Sequence, residues 1–174
     1  EATPRIIAKD EPNNCVLMEW IKGERVDHYG AEEIKASVAF LQAVHDIARK
    51  ESGQKIRRAT EACLNGAEIV RQINLRLNRL DASKAEYPQL RAFIDEEFLL
   101  ALNEVSDWSQ KQYQCLRLDF SEDIALEQQT LSVVDFGSHN TLRKDNKFYF
   151  LDFEFFGWDD PVKLVADTLQ HPGM

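Results

Sequence analysis

Apolar and polar positions divide the chain into three stretches with different rhythms. Two short apolar runs, Arg5 to Ala8 and Cys15 to Ile21, flank Asp10-Glu11-Pro12-Asn13-Asn14. Turn-favouring residues between two such runs predict a pair of strands, and Lys22-Gly23-Glu24 ends the second. From Ala31 to Lys50 the residues Ile34, Val38, Leu41, Val44 and Ala48 recur at helical spacing, which predicts an amphipathic helix. Glu32 and Glu33 in its first turn, with Arg49 and Lys50 in its last, complement the helix dipole. Ser52-Gly53 stops it. His45, set among those apolar residues, is expected to be a hydrogen-bonded core group. A second helix is predicted from about Thr60 to Leu80 on the stripe Ala62, Ile69, Ile73, Leu77 and Leu80. A third opens near Pro88, a residue favoured in the first turn, and carries Leu90, Ile94, Phe98, Ala101, Val105 and Trp108. These stripes are expected to face the core. Ser121 to Gln129 predicts a short fourth helix.

The rhythm changes after Thr130. Leu131 to Val134 and Lys147 to Leu151 are strand-like, and Lys144-Asp145-Asn146 predicts the turn before the second. Asp160-Pro161 predicts an N-cap followed by proline at the first helical position, opening a helix to about Leu169.

Composition narrows the class. The chain has 174 residues, 44% hydrophobic and 29% charged, enough for one domain whose core needs no covalent staples. Seven glycines and five prolines favour long helices over a many-turned sandwich. A net charge of −9 argues against a nucleic-acid partner. No apolar run approaches the ~18 residues that cross a bilayer, which argues against a membrane partner. Cys15, Cys63 and Cys115 are odd in number and far apart, so neither a disulfide framework nor a zinc pair is expected, and a reducing, cytoplasmic setting fits. The opening Glu1-Ala2-Thr3-Pro4 reads as an excerpt or a processed chain. The oligomeric state is not legible.

The candidate chemistry lies beside the late strands. Asp135 follows one strand, Asn140 lies shortly after it, and Asp152 ends the next. Phosphoryl transfer requires such a set: a carboxylate that orients the acceptor hydroxyl, and an amide and a carboxylate that hold magnesium on the phosphates. Asp135-Phe136-Gly137 spells the metal-binding triplet of protein kinases. Read so, a catalytic Asp with an Asn five residues on should lie upstream, and none does: the residues five beyond Asp107, Asp119 and Asp123 are Gln112, Ile124 and Gln128. Taking Asp135 as the catalytic residue and Asp152-Phe153-Glu154 as the metal triplet supplies both parts.

With these residues in place the sequence resembles the aminoglycoside phosphotransferase and choline kinase family. The matching segments are Val134-Asp135-Phe136-Gly137-Ser138-His139-Asn140 and Leu151 to Pro161, and Val16-Leu17-Met18-Glu19-Trp20-Ile21-Lys22-Gly23-Glu24 is similar to the family's inter-lobe hinge. The resemblance implies an α+β, mainly helical chain, the C-terminal lobe of a protein-kinase-like fold with short strands around the catalytic loop. It implies hinge strands and linker over 1–28, a helical acceptor-binding region over 29–130, and a catalytic and metal-binding segment over 131–174. It implies an ATP-dependent phosphotransferase acting on a small-molecule hydroxyl, with Asp135 as catalytic base, Asn140 and Asp152 as Mg²⁺ ligands, and the backbone of Glu19 and Ile21 on the ATP base. The alternative is a non-catalytic kinase-like binding or scaffold module. Two positions depart from the family: Val133 stands where a His is usual, and Leu164 where an Asp is usual, with Asp167 one turn further on. The resemblance also implies a phosphate loop and lysine ahead of the hinge, without which the chain alone is expected to be inactive. Glu154 is expected to be structural, and His139 to orient or pack.

Overall fold

The computed structural model describes residues 2–171. In chain order the elements are β1 (Ile6–Asp10), β2 (Cys15–Met18), β3 (Glu24–Arg25), α1 (Ala31–Ala48), α2 (Glu51–Gln54), α3 (Gly66–Arg79), α4 (Asp81–Glu86), α5 (Pro88–Phe93), α6 (Leu99–Leu116), β4 (Thr130–Ser132), β5 (Thr141–Lys144), β6 (Lys147–Phe150), β7 (Gly157–Asp159) and α7 (Pro161–Gln170). A π-helical turn, Ile94–Phe98, joins α5 to α6. The class is α+β and mainly helical. No helix among the described residues is long and apolar enough to cross a membrane.

The chain divides into two compact units, Glu1–Ala62 with Gln128–Met174, and Cys63–Glu127. Helices α1 and α2 group with the first and last segments of the chain. The reason is a core that the late strands and α1 build together. Phe40 of α1 stacks on Phe150 (centroids 4.6 Å apart) and Phe136 (5.8 Å), and Phe136 meets Phe150 at 5.1 Å. Val44, Leu131, Val133 and Trp158 are buried with these rings. Each large apolar side chain so buried contributes about 1.5–3 kcal/mol, which secures α1 against the strands.

Three small antiparallel sheets frame this unit. β1 pairs with β2; β3, β5 and β6 lie in that order; β4 pairs with β7. The turn predicted before β6 is a two-residue hairpin loop, with Asp145 at φ 50° and Asn146 at φ 58°. Positive φ at both positions matches the twist of the flanking strands, and short polar side chains tolerate it. Segment 57–59 runs beside β7: Trp158 N donates to Arg57 O (3.0 Å) and Ala59 N to Trp158 O (3.0 Å). Gly157 permits that approach, since a Cβ there would lie 2.4 Å from Ala59 N. The predicted cap of α7 is formed, with Val162 N donating to Asp160 Oδ1 at 2.7 Å.

Three expectations about the helices are corrected. The second helix begins at Gly66, not near Thr60. Asn65 caps it by accepting from Glu68 N at 2.7 Å, and Ala62 lies in the irregular segment before it, buried. The third helix is interrupted by the π turn. An inserted residue rotates everything downstream by about 100°, so the stripe read as one line is broken: Ile94 is buried, whereas Phe98, Val105 and Trp108 are exposed. The stretch 121–129 forms only a short 3₁₀ turn, Leu126–Gln128. His45 is likewise not a core group: it sits at the surface of α1, with Nδ1 3.3 Å from Thr130 Oγ1.

Candidate functional site

The segment after β4 turns back on itself through backbone hydrogen bonds. Gly137 N donates to Asp135 O (3.1 Å) and Asn140 N to Gly137 O (3.1 Å). Thr141 Oγ1 also donates to Gly137 O at 3.3 Å. With that proton committed, Tyr29 is the donor in its 2.7 Å hydrogen bond to Thr141 Oγ1. The Asn140 side chain closes the loop, its Nδ2 donating to Asp135 O at 3.1 Å. That orientation leaves Oδ1 of the amide as its remaining acceptor.

Two aspartates share one local device. Asp135 has φ 58° and Asp152 φ 64°, left-handed values that cost a non-glycine residue roughly 1–2 kcal/mol and gather at functional sites. Each is followed by a phenylalanine that turns inward onto Phe40: Phe136 at 5.8 Å and Phe153 at 5.8 Å. Anchoring the phenylalanine fixes the bend, and the bend leaves the preceding carboxylate exposed. The segments are knitted together, since Leu151 N donates to Asn140 O at 2.9 Å. Asn140 thus bonds both to the Asp135 backbone and to the residue before Asp152. The Asp152 carboxylate is exposed and makes no side-chain hydrogen bond or ion pair with the described residues.

Asp135 is held by two imidazoles. His171 Nε2 donates to Oδ1 at 2.9 Å, and His139 Nε2 to Oδ2 at 3.3 Å. The rings stack, with centroids 5.1 Å apart and 13° between planes. Partial burial pushes the Asp135 carboxyl up, but the hydrogen bonds and charge of His171 and His139 outweigh it, and its pKa lies below the ordinary aspartate value. The residue is thus ionised at neutral pH. Beside it is an open cleft of about 490 Å³, lined by Glu61, Val134, Asp135, Phe155, Ala166, Asp167, Gln170 and His171. Asp167 is engaged by Lys163 Nζ at 2.7 Å. A larger groove of about 620 Å³ between α1 and α7 is mostly aliphatic and carries no comparable set.

The Asp152 carboxylate and Asn140 Oδ1 are oxygen donors that a divalent cation could use. They are hard oxygen ligands on joined segments, and they fit magnesium, which takes few protein oxygens and keeps its waters. Glu19 and Ile21 lie elsewhere, in the extended stretch after β2. Glu19 N donates to Arg5 O (2.9 Å) and Ile21 O accepts from Gly23 N (3.0 Å). Glu19 O and Ile21 N make no backbone hydrogen bond with the described residues, and Trp20 between them is 89% exposed. The departures from the family pattern sit in the core: Val133 is buried, and Leu164 packs against the same cluster. His171 was not among the residues singled out by sequence, and no local signal marks it, because it reaches Asp135 across 36 positions.

This arrangement is the C-terminal lobe of a protein-kinase-like fold. Among solved structures, the crystal structure of choline kinase from Cryptosporidium parvum Iowa II superposes with a TM-score of 0.60 at 19% identity, over 95% of this chain and 46% of that one. The chain thus spans just under half the length of that kinase, and at this identity the likeness is one of fold. No protein-family model matches the chain, and no curated protein matches it in sequence.

Proposed function

We propose that the chain carries the catalytic half of an ATP-dependent phosphotransferase, similar to the aminoglycoside phosphotransferases, that acts on a hydroxyl of a small molecule. The observation that carries this reading is the joined pair of bends, Asp135–Asn140 and Leu151–Asp152. It ties the backbones that carry Asp135, Asn140 and Asp152 into adjoining bends.

In this reading Asp135 accepts the proton of the acceptor hydroxyl as its oxygen bonds to the γ-phosphorus and the bond to the β-phosphate oxygen breaks. Its lowered pKa makes it an ionised acceptor whose main task is orientation, since a strong base is not needed for a loose transition state. Asn140 and Asp152 hold Mg²⁺, which supplies positive charge to the phosphates. Glu19 O and Ile21 N offer the acceptor and donor that a purine edge requires. The cleft holds Glu61, Asp135 and Asp167 beside the Phe155 ring, which favours an acceptor bearing an amine as well as a hydroxyl.

The test is magnesium-dependent ATP binding by calorimetry, with ADP release measured across amino alcohols and aminoglycosides, on the full-length protein carrying the phosphate loop and lysine, as wild type and Asp135→Asn. Turnover that survives in Asp135→Asn would overturn the reading. The apolar residues at Val133 and Leu164 favour a second reading, a non-catalytic nucleotide- or metabolite-binding module. Nucleotide binding with no turnover on any acceptor would support it.

A further inference from the structure

Asp135, His139 and His171 each offer one ligand atom, and these atoms all lie within 4.8 Å of one another. We propose that they form a site for a borderline divalent cation, Zn²⁺ in the first instance, distinct from the oxygen set of Asn140 and Asp152. The three groups are near enough to close on one ion with small side-chain shifts. Bonds of about 2.0–2.2 Å to nitrogen and oxygen in a tetrahedron set ligand atoms about 3.3 Å apart. The two imidazole nitrogens lie 2.9 and 3.3 Å from the carboxylate oxygens they face. Three protein ligands with a fourth position open to the cleft is the pattern of accessible zinc sites.

A second feature serves the same place. A Cβ on Gly137 would lie 2.3 Å from His171 Cε1, 2.5 Å from His171 Nδ1 and 2.8 Å from His139 Nδ1. The backbone there is extended, with φ −122° and ψ 172°, so the turn does not require glycine. What requires it is the seating of both rings. A side chain at Gly137 would have to displace both imidazoles.

On binding, the cation replaces the two N–H···O hydrogen bonds. Each Nε2 gives up its hydrogen, to Nδ1 or to solvent, and turns its lone pair to the metal. Two imidazoles and one carboxylate select zinc, nickel or copper over magnesium, which prefers oxygen. Millimolar magnesium would therefore leave the site free for micromolar zinc. The cation would occupy the carboxylate assigned above to the acceptor hydroxyl, making zinc an inhibitor. That consequence rests on the phosphotransferase reading; the coordination does not.

The experiment is a Co²⁺ titration followed by visible absorption, then displacement by Zn²⁺, in excess Mg²⁺. It uses wild type, His171→Gln, His139→Gln and Asp152→Asn, with folding checked by circular dichroism. Ligand-field bands that Zn²⁺ abolishes are expected for wild type and Asp152→Asn. Since even partners outside the coordination shell are worth 10- to 100-fold in affinity, each histidine variant should bind at least about tenfold more weakly. No bands at saturating Co²⁺, displacement by Mg²⁺, or affinity undiminished in every folded histidine variant would overturn the site. If turnover is found, inhibition by Zn²⁺ at fixed Mg-ATP should weaken at least about tenfold in the same variants. In the full-length protein, bands without turnover would leave the metal site standing and count against the phosphotransferase reading.

Discussion

Adding one methyl group at Gly137 tests how Asp135 is held. In Gly137→Ala the new carbon would stand 2.3 Å from His171 Cε1 and 2.5 Å from His171 Nδ1, against the roughly 3.5–4.0 Å of an ordinary contact. His171 must retreat by more than about 1 Å, which takes its 2.9 Å bond to Asp135 past the range of a hydrogen bond. Overpacking of this kind costs about 1–3 kcal/mol. The lost hydrogen bond adds at most about 1 kcal/mol, because the Asp135 side chain is 48% exposed and solvent screens it. For a chain of this length the melting temperature should fall by roughly 2–16 °C. The more specific signature is the Asp135 carboxyl, followed by carbon-detected NMR. In wild type it titrates below the ordinary value of about 3.9, because His171 and His139 favour its charged form. In the variant the partners are displaced while partial burial remains, so its pKa should rise. The sign for stability follows from the lowered folded value. The contribution is fully present above the ordinary carboxyl range and is lost as pH falls through the lower folded pKa. This part of the stability gap between wild type and variant should therefore shrink in acid, leaving the packing cost. An Asp135 titration identical in the two proteins would refute the claim that the Gly137 cradle sets this carboxylate.

Other residues make separate claims. In the full-length protein Asp135→Asn should lower kcat by about 10²–10⁴-fold, the usual worth of a positioned proton acceptor, with little change in ATP affinity. Asp152→Asn should instead weaken magnesium-dependent ATP binding; calorimetry and steady-state kinetics separate the two. Asn65→Ala removes the acceptor for Glu68 N and the 2.6 Å hydrogen bond to Asp123 Oδ1, and should cost about 0.5–2 kcal/mol in urea unfolding. Phe150→Ala takes a ring from the centre of the cluster on Phe40 and Phe136. It should cost about 3–5 kcal/mol, and a loss under 1 kcal/mol would count against that core.

Features legible from sequence are those that neighbouring residues decide among themselves. The turn at Asp145-Asn146 needs two residues that tolerate positive φ, and they stand between the strands they join. The α7 cap needs Asp160 beside Pro161. The Asp135–Asn140 bend closes by hydrogen bonds within its own few residues, and its place between two strands, with the resemblance of the flanking segments, points to it where spacing alone does not. Where competing local choices existed, packing arbitrated. Thr60 to Leu64 has helical rhythm, but the pairing of 57–59 with β7 and the Asn65 cap move the helix start to Gly66. The apolar stripe from Leu90 to Trp108 is regular in sequence, yet a single π turn breaks its alignment, and spacing does not record where one residue will be inserted. The grip on Asp135 lies furthest from sequence. His139 shares its turn, but His171 arrives from the far end of α7. Only the fold, with α7 set by its cap and Gly137 bare of a side chain, brings the second imidazole to the carboxylate.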